Sequence, residues 1–408
     1  MVRDAAQAGL GRLGTMCAVA LVVAWAVSSI GIAKPVALSL AEVVAFLVCV
    51  TVLVLSPSLR IDAPVAVLGV LLSVVVAEGL LLPPGGVNSF LSAALHLAAW
   101  MAVFVILAPV LRKADAKGVI KGALWVSTLL AVLHLAQLAS AAAGGPLLVP
   151  FPEAVFYRGL RWTDPSGSRP AAVFSEVAWY GGFQGFVLFL ALVVRAGRDL
   201  TPLQRGQLLL VAVSVFLSGS LAGQLLLVLA VAGAVGTSLS GRRRVRLAAV
   251  VIGVIGLTTA VAPGTRQLLV GRLTLARHVG STASRLLDPI VRTRAALARA
   301  PLVGLGLGNE ERTATFAGVV PIAPKFNNAV LYFLATTGVL GFVLVAMLVA
   351  TIPSWSRPLA ALVQCLWILA YQLSHGDALL HTFWIPLILW YTCVQRDGAV
   401  RVRDANDN

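Results

Sequence analysis

Stretches such as MCAVALVVAWAV, VAFLVCVTVLVL and LLLVLAVAGAV recur along this chain at intervals scarcely longer than themselves. A bilayer-crossing helix needs roughly 20 mostly apolar residues. Runs of that kind fall at 13–31, 36–55, 63–83, 88–111, 119–143, 174–194, 206–221, 223–240, 247–262, 327–351, 358–374 and 378–395. With 59% hydrophobic and 12% charged residues, and a mean hydropathy of +0.94, the chain lacks the polar surface a soluble globule requires. The expectation is an all-α, polytopic integral membrane protein of about twelve transmembrane helices, a single membrane domain over residues 1–408. FLSGSLAGQ, with Gly219 and Gly223, reads either as a tight turn between two helices or as a kink within one. Cys17, Cys49, Cys365 and Cys393 sit inside apolar runs without a CxxC, so they read as packing residues rather than a disulfide or metal framework. Arg3 and Arg12 precede a first run that leads into many more, which reads as a retained span rather than a cleaved signal peptide.

The net charge of +15 has a membrane explanation and gives no reason to expect nucleic acid as a partner. LRKADAKGVIKG, RAGRDLTPLQR, GRRRVR and the tail RDGAVRVRD fall on one side when alternate loops are counted, which makes that side the cytoplasm, with both termini there. Most of the remaining cations lie in two outward loops, 144–173 and 263–326. The larger loop carries Arg266, Arg272, Arg277, Arg285, Arg292, Arg294, Arg299, Arg312 and Lys325 against Asp288, Glu310 and Glu311. So many cations on an exported loop run against the positive-inside tendency, although a loop of about 60 residues translocates despite its charge. Either the loop is simply a solvated basic segment, or it is an anion site, because arginine offers a rigid fork of donors suited to phosphate.

Ionisable and amide groups within the spans share a level. Glu42, Glu78, His96, His134, Gln224, Gln372, Asp377 and His381 all fall near the outer ends of their helices, which suggests a polar vestibule opening outward. Each one alone is equally a helix-to-helix hydrogen bond. In the first outer loop, Arg158, Arg161, Asp164 and Arg169 lead into Glu176 at the start of the sixth run. That carboxylate is either ordinary dipole complementarity or a general base beside arginines. In the second loop, Asp288 and Pro289 predict the N-cap and first residue of a short helix that Pro301 ends. Arg292 and Arg299, seven apart, share one face of it and would straddle a diphosphate. GLGLG follows a helix without βαβ context, so it reads as a tight backbone path back to the membrane at Asn327 and Asn328 rather than a dinucleotide fingerprint. No metal or cofactor motif appears, and none is expected.

The stretch from Arg285 through APLVGLGLG to FNNAVLYFLATTGVLGF, with its Gly338-x-x-Gly341 step, together with RPAAVFSEVAWYG, resembles the O-antigen and exopolysaccharide polymerase and O-antigen ligase superfamily. These are membrane glycosyltransferases that use undecaprenyl-diphosphate-linked sugars on the outer face. The resemblance covers the C-terminal half in motifs and the first five helices in hydropathy. Ligases of the family carry a histidine before an asparagine after the large loop, whereas this chain has Asn327 and Asn328, which favours a polymerase. The resemblance implies an inverting, metal-independent polymerisation of lipid-linked repeat units in the bacterial inner membrane. Ligation onto lipid A-core is the alternative, and export of lipid-linked sugars a more distant one. It implies Glu176 as the base and Arg169, Arg285 and Arg292 as the groups stabilising the diphosphate. Arg158, Arg161, Arg266, Arg272, Arg277, Arg299, Asn327 and Asn328 follow as substrate contacts. The implied partners are a glycan donor and acceptor on undecaprenyl diphosphate, the lipid bilayer and a chain-length regulator protein.

Overall fold

The computed structural model describes residues 2–28, 31–32, 38–55, 63–81, 87–144, 163–164, 167–168, 171–174, 177–194, 200–238, 287–319, 326, 328–353, 355, 357–375, 379 and 381–394. Among them are fourteen α-helices: α1 Val2–Ala26, α2 Leu40–Leu55, α3 Ala63–Leu81, α4 Val87–Leu111, α5 Ala116–Ala142, α6 Val177–Phe189, α7 Pro202–Leu217, α8 Leu221–Ser238, α9 Asp288–Arg299, α10 Glu310–Ala317, α11 Ala329–Thr336, α12 Gly338–Thr351, α13 Pro358–Ser374 and α14 His381–Val394. A π-helical turn, Leu190–Val194, extends α6. Strand pairing among the described residues is limited to two antiparallel two-residue ladders. β1 Gly31–Ile32 pairs with β2 Leu38–Ser39, and β3 Thr163–Asp164 pairs with β4 Gly167–Ser168.

Among the described residues three helices are long and apolar enough to cross a membrane, over Gly9–Ala26, Phe90–Leu111 and Ala116–Ala142, and eight more are apolar over 10–17 residues. Their outward side chains are as apolar as the core: Phe46, Leu95, Leu129, Leu209, Leu225 and Leu366 are each more than half exposed. Water would not tolerate so continuous an apolar exterior, whereas lipid requires it. The chain is therefore a helical membrane protein. The run at 247–262 lies outside the described residues.

The sequence explains the helix starts. Asp115 caps α5 by accepting from the amides of Lys117 and Gly118 at 3.3 and 3.1 Å. Thr201 and Gln204 form a reciprocal capping box at α7. Ser39 and Glu42 do the same at α2, the Glu42 carboxylate accepting from the Ser39 amide at 2.7 Å and the Glu42 amide donating to the Ser39 hydroxyl at 3.3 Å. Packing then depends on small residues. A Cβ on Gly14 would lie 2.4 Å from the Val110 carbonyl oxygen, and one on Gly223 would lie 2.8 Å from the Gly181 Cα, so α1 meets α4 and α6 meets α8 almost backbone to backbone. FLSGSLAGQ resolves as a tight turn: Gly219 has φ 65°, and Ser220 accepts from the Gly223 amide at 3.2 Å to start α8.

α14 is buried on every side and forms the centre of the bundle. Beside it, Trp25 of α1 sits edge-on to Phe183, Phe186 and Tyr371 at 5.0, 5.2 and 6.1 Å.

Two expectations change. The run at 327–351 is not one helix but two, α11 and α12, separated at Thr337–Gly338, where Gly338 has φ 64°. The loop Pro301–Gly306 fills the break. Leu305 and Gly306 donate to the Ala335 and Thr336 carbonyls at 3.1 and 2.8 Å, while Val339 and Leu340 donate to the Pro301 and Leu302 carbonyls at 2.9 and 3.1 Å. Backbone groups that a broken helix would leave unmet at both ends are thus satisfied by one loop. The second change is that α9 begins one residue earlier than expected: Asp288 lies within its first turn and makes no cap, because its carboxylate is engaged by Arg292.

Candidate active site

Polar side chains gather at one end of the bundle. α5 supplies His134 and Gln137, α6 supplies Trp179 and Tyr180, α7 supplies Ser214, and His375 and His381 come from the end of α13 and the start of α14. The Ser214 hydroxyl bonds the Tyr180 hydroxyl and lies 3.0 Å from His134 Nδ1, and the His134 ring stacks on Tyr180 at 4.6 Å. One turn deeper, Gln184 takes the Ser127 hydroxyl and donates to the Ser127 carbonyl at 3.1 Å. His375 stacks on Tyr371 at 5.3 Å, with its Nδ1 2.7 Å from the Ser374 hydroxyl. Its ring occupies the space a side chain at Gly182 would need: a Cβ there would lie 2.5 Å away. His381 faces the edge of Trp179 at 6.2 Å. Within this cluster Tyr180, Ser214 and His134 form one hydrogen-bonded group and Ser127 and Gln184 another.

Gln137 reaches from α5 to a second polypeptide segment. Its Nε2 donates to the Ala172 carbonyl at 3.0 Å and its Oε1 accepts from the Ala172 amide at 2.9 Å, the pairing a β-partner would otherwise provide. Ala172 has φ 53°, the one positive value on a non-glycine residue among those described. The turn Ala171–Phe174 is wholly buried, with Phe174 against Phe183 at 5.7 Å. A left-handed alanine costs about 1–2 kcal/mol and persists only where its surroundings over-determine it. In the sequence this clamped turn separates Arg169 from Glu176.

α9, α10 and α11 pack together as one module, the first two of them from the basic loop 263–326. Arg292 is 0% exposed. Its Nε donates to the Thr313 hydroxyl at 2.9 Å, Nη1 to Asp288 Oδ2 at 3.2 Å and Nη2 to the Glu310 carbonyl at 2.6 Å, with the guanidinium 4.5 Å over the Phe326 ring. Arg299, on the same face, lies 3.8 Å over Phe316 and is exposed. The shared face is therefore present, but α10 covers it at Arg292 and leaves Arg299 exposed. Arg292 bolts α9 to α10 where the sequence suggests a guanidinium turned toward substrate. Asn328 is buried and caps α11, accepting from the Leu331 amide at 3.0 Å and donating to the Leu373 carbonyl at 2.9 Å. That second bond ties the module to α13, two residues from His375, and Phe333 of α11 meets Phe383 of α14 at 5.6 Å.

Of the sequence-derived site residues, Arg292, Arg299 and Asn328 fall within the described structure. Arg158, Arg161, Arg169, Glu176, Arg266, Arg272, Arg277, Arg285 and Asn327 lie outside the described residues, as do Asp377 and the Glu78 side chain. Among the vestibule residues, His134 and His381 join the polar end. Glu42 is a helix cap, His96 is exposed and bonded to its own helix at the Ser92 carbonyl, 2.8 Å, and Gln224 spans the α7–α8 turn to the Phe216 carbonyl at 2.9 Å. Gln372 donates to the Phe383 carbonyl at 3.3 Å. Sequence reasoning missed Gln137, Tyr180, Ser214 and His375. The i, i+3 spacing of His134 and Gln137 was the available signal for the first, since it puts both on one helix face. GLGLG does take a tight path, with φ 66°, 83° and 75° at Gly304, Gly306 and Gly308. No family model matches this chain, and no curated protein does.

Proposed function

We propose that this protein is a twelve-span membrane glycosyltransferase that polymerises undecaprenyl-diphosphate-linked oligosaccharide repeat units on the outer face of a bacterial inner membrane. The observation that carries the reading is the docking of an arginine-built module, through Asn328 and Phe333 of α11, onto the end of the bundle where His134, Tyr180, Ser214, His375 and His381 collect. A lipid-linked diphosphate presents its charge at this height, between headgroups and water. Departure of that diphosphate from the sugar C1 calls for fixed positive charge, which arginine supplies at any working pH.

In this reading Arg169, Arg277 and Arg285 contact the diphosphate, and Glu176 removes the proton from the attacking hydroxyl of the acceptor sugar. The C1–oxygen bond to the diphosphate breaks as the new glycosidic bond forms, with inversion. Arg292 has a different role from the one its sequence position suggests. With Nε, Nη1 and Nη2 donating to chain acceptors, it shapes the module rather than holding the leaving group.

The test is incubation of the purified protein with lipid-linked repeat units alone. Polymerase activity gives a ladder of products. No ladder, but transfer once lipid A-core is added, means a ligase; neither, with the lipid-linked unit crossing vesicle membranes, means an exporter. Arg285→Ala should slow ladder formation about a hundredfold, in line with loss of an anion-stabilising donor.

A further inference from the structure

The α9 helix has two sides of opposite character. One packs against α10, with Arg292 buried and Arg299 lying over Phe316. The other leaves Leu287, Ile290 and Val291 exposed at 45%, 45% and 47%. Between this flank and α11 runs a groove of about 490 Å³ lined by Ile290, Thr293, Arg294, Leu297, Leu331 and Leu334. Its wall is apolar apart from Thr293, whose hydroxyl is directed to the Leu331 carbonyl at 3.3 Å, and Arg294, which is exposed. Among the described residues no carboxylate pairs with Arg294, whereas Arg292 is paired with Asp288.

The apolar flank does not stop at α9. Leu302 and Val303, at the loop tip, are 69% and 39% exposed. Their loop is bonded through the Pro301 and Leu302 carbonyls to Val339 and Leu340 at the start of α12. From there Val339, Leu340, Val343 and Met347 carry the same exposed apolar character down the outer side of a membrane-level helix. The groove and loop tip are thus continuous with a surface that lipid covers. A guanidinium that no described carboxylate neutralises, beside such a surface, matches a lipid phosphate in charge, and the apolar groove matches an acyl chain in polarity.

We infer that α9 is an interfacial helix, with its Leu287–Ile290–Val291 flank and the Leu302–Val303 tip embedded among lipid chains, and that the α9–α11 groove holds one chain of an anionic phospholipid whose phosphate meets Arg294. The assignment needs only the membrane character of the chain and goes beyond the glycosyltransferase reading. It gives the module a fixed depth, held from below by lipid as well as from the side by α11.

The full-length protein in nanodiscs of phosphatidylglycerol and phosphatidylcholine tests it. A nitroxide at Val303→Cys should collide readily with oxygen and be shielded from a water-soluble nickel chelate, while one at exposed Glu311→Cys should show the reverse. Label on the native cysteines is subtracted with the unmodified protein. Equal nickel access at both positions would overturn the assignment, and so would dipolar broadening at 303, which would mean that a second copy covers the tip. Native mass spectrometry reads the groove. The unmodified protein should retain phosphatidylglycerol over phosphatidylcholine, and Arg294→Gln should lower that preference about fivefold, the worth of one cation near an anionic surface. Arg294→Lys should keep most of it. A preference unaltered by Arg294→Gln would sink the phosphate contact. None of these readouts involves a glycan, so their failure and the failure of the polymerase reading are separate results.

Discussion

Burying a guanidinium costs several kcal/mol unless its donors are met, and Arg292 meets that demand with a carboxylate, a hydroxyl, a carbonyl and an aromatic face. Its removal would leave Asp288, itself 8% exposed, as an uncompensated buried charge. Arg292→Ala should therefore destabilise the module by about 3–5 kcal/mol, seen as early protease cleavage between α9 and α10. Arg299→Ala, which loses an exposed contact with Phe316, should cost about 0.5–1 kcal/mol in the same assay. Gln137→Leu should strand the Ala172 amide and carbonyl, cost about 1–3 kcal/mol and accelerate hydrogen exchange at Ala172. These contrasts were only partly legible in the sequence. Spacing placed Arg292 and Arg299 on one face, but whether that face meets solvent or α10 depends on a helix lying beyond the GLGLG loop, which periodicity does not register. Gln137 was harder still, because its partner is backbone and any residue type would serve there.

At the level of elements, the apolar pattern located helices well and their interruptions poorly. α2 to α8, α13 and α14 lie where runs of apolar residues put them, whereas α1 begins at Val2, well before the apolar run expected at 13–31, and so takes Arg3 and Arg12 into the helix. AVLYFLATTGVLGFVLVAML, by contrast, reads as one span because the groups that divide it come from Pro301–Gly306, far upstream. The glycines offer a direct check. Gly304, Gly318 and Gly338 all have positive φ, at 66°, 63° and 64°. A Cβ at Gly318 meets nothing within 4 Å, so Gly318→Ala should cost about 1 kcal/mol for the left-handed backbone alone. A Cβ at Gly304 would lie 2.4 Å from the Thr336 carbonyl carbon, and one at Gly338 2.4 Å from the Leu302 oxygen. Gly304→Ala and Gly338→Ala should therefore lower the melting temperature in detergent markedly more than Gly318→Ala. Equal losses at all three would mean that the loop does not pack into the helix break.

For the whole molecule, the basic residues predict orientation. A cysteine at Glu311 should react with a membrane-impermeant maleimide on intact cells, whereas one at Lys113, in the α4–α5 connection, should react only after permeabilisation. The opposite pattern would invert the topology and place the α9–α11 module in the cytoplasm. The plugged helix break also bears on how the chain is made. Residues 301–306 leave the ribosome before 335–340, so the loop that must occupy the break exists before the break does. Without it, the segment forming α11 and α12 is apolar and long enough to insert as one straight rod with its own backbone bonds complete. Opening that rod afterwards would cost several hydrogen bonds at once. The direction of synthesis therefore favours the two-helix arrangement, and a chain split between loop and helix and recombined from its halves should populate the straight rod instead.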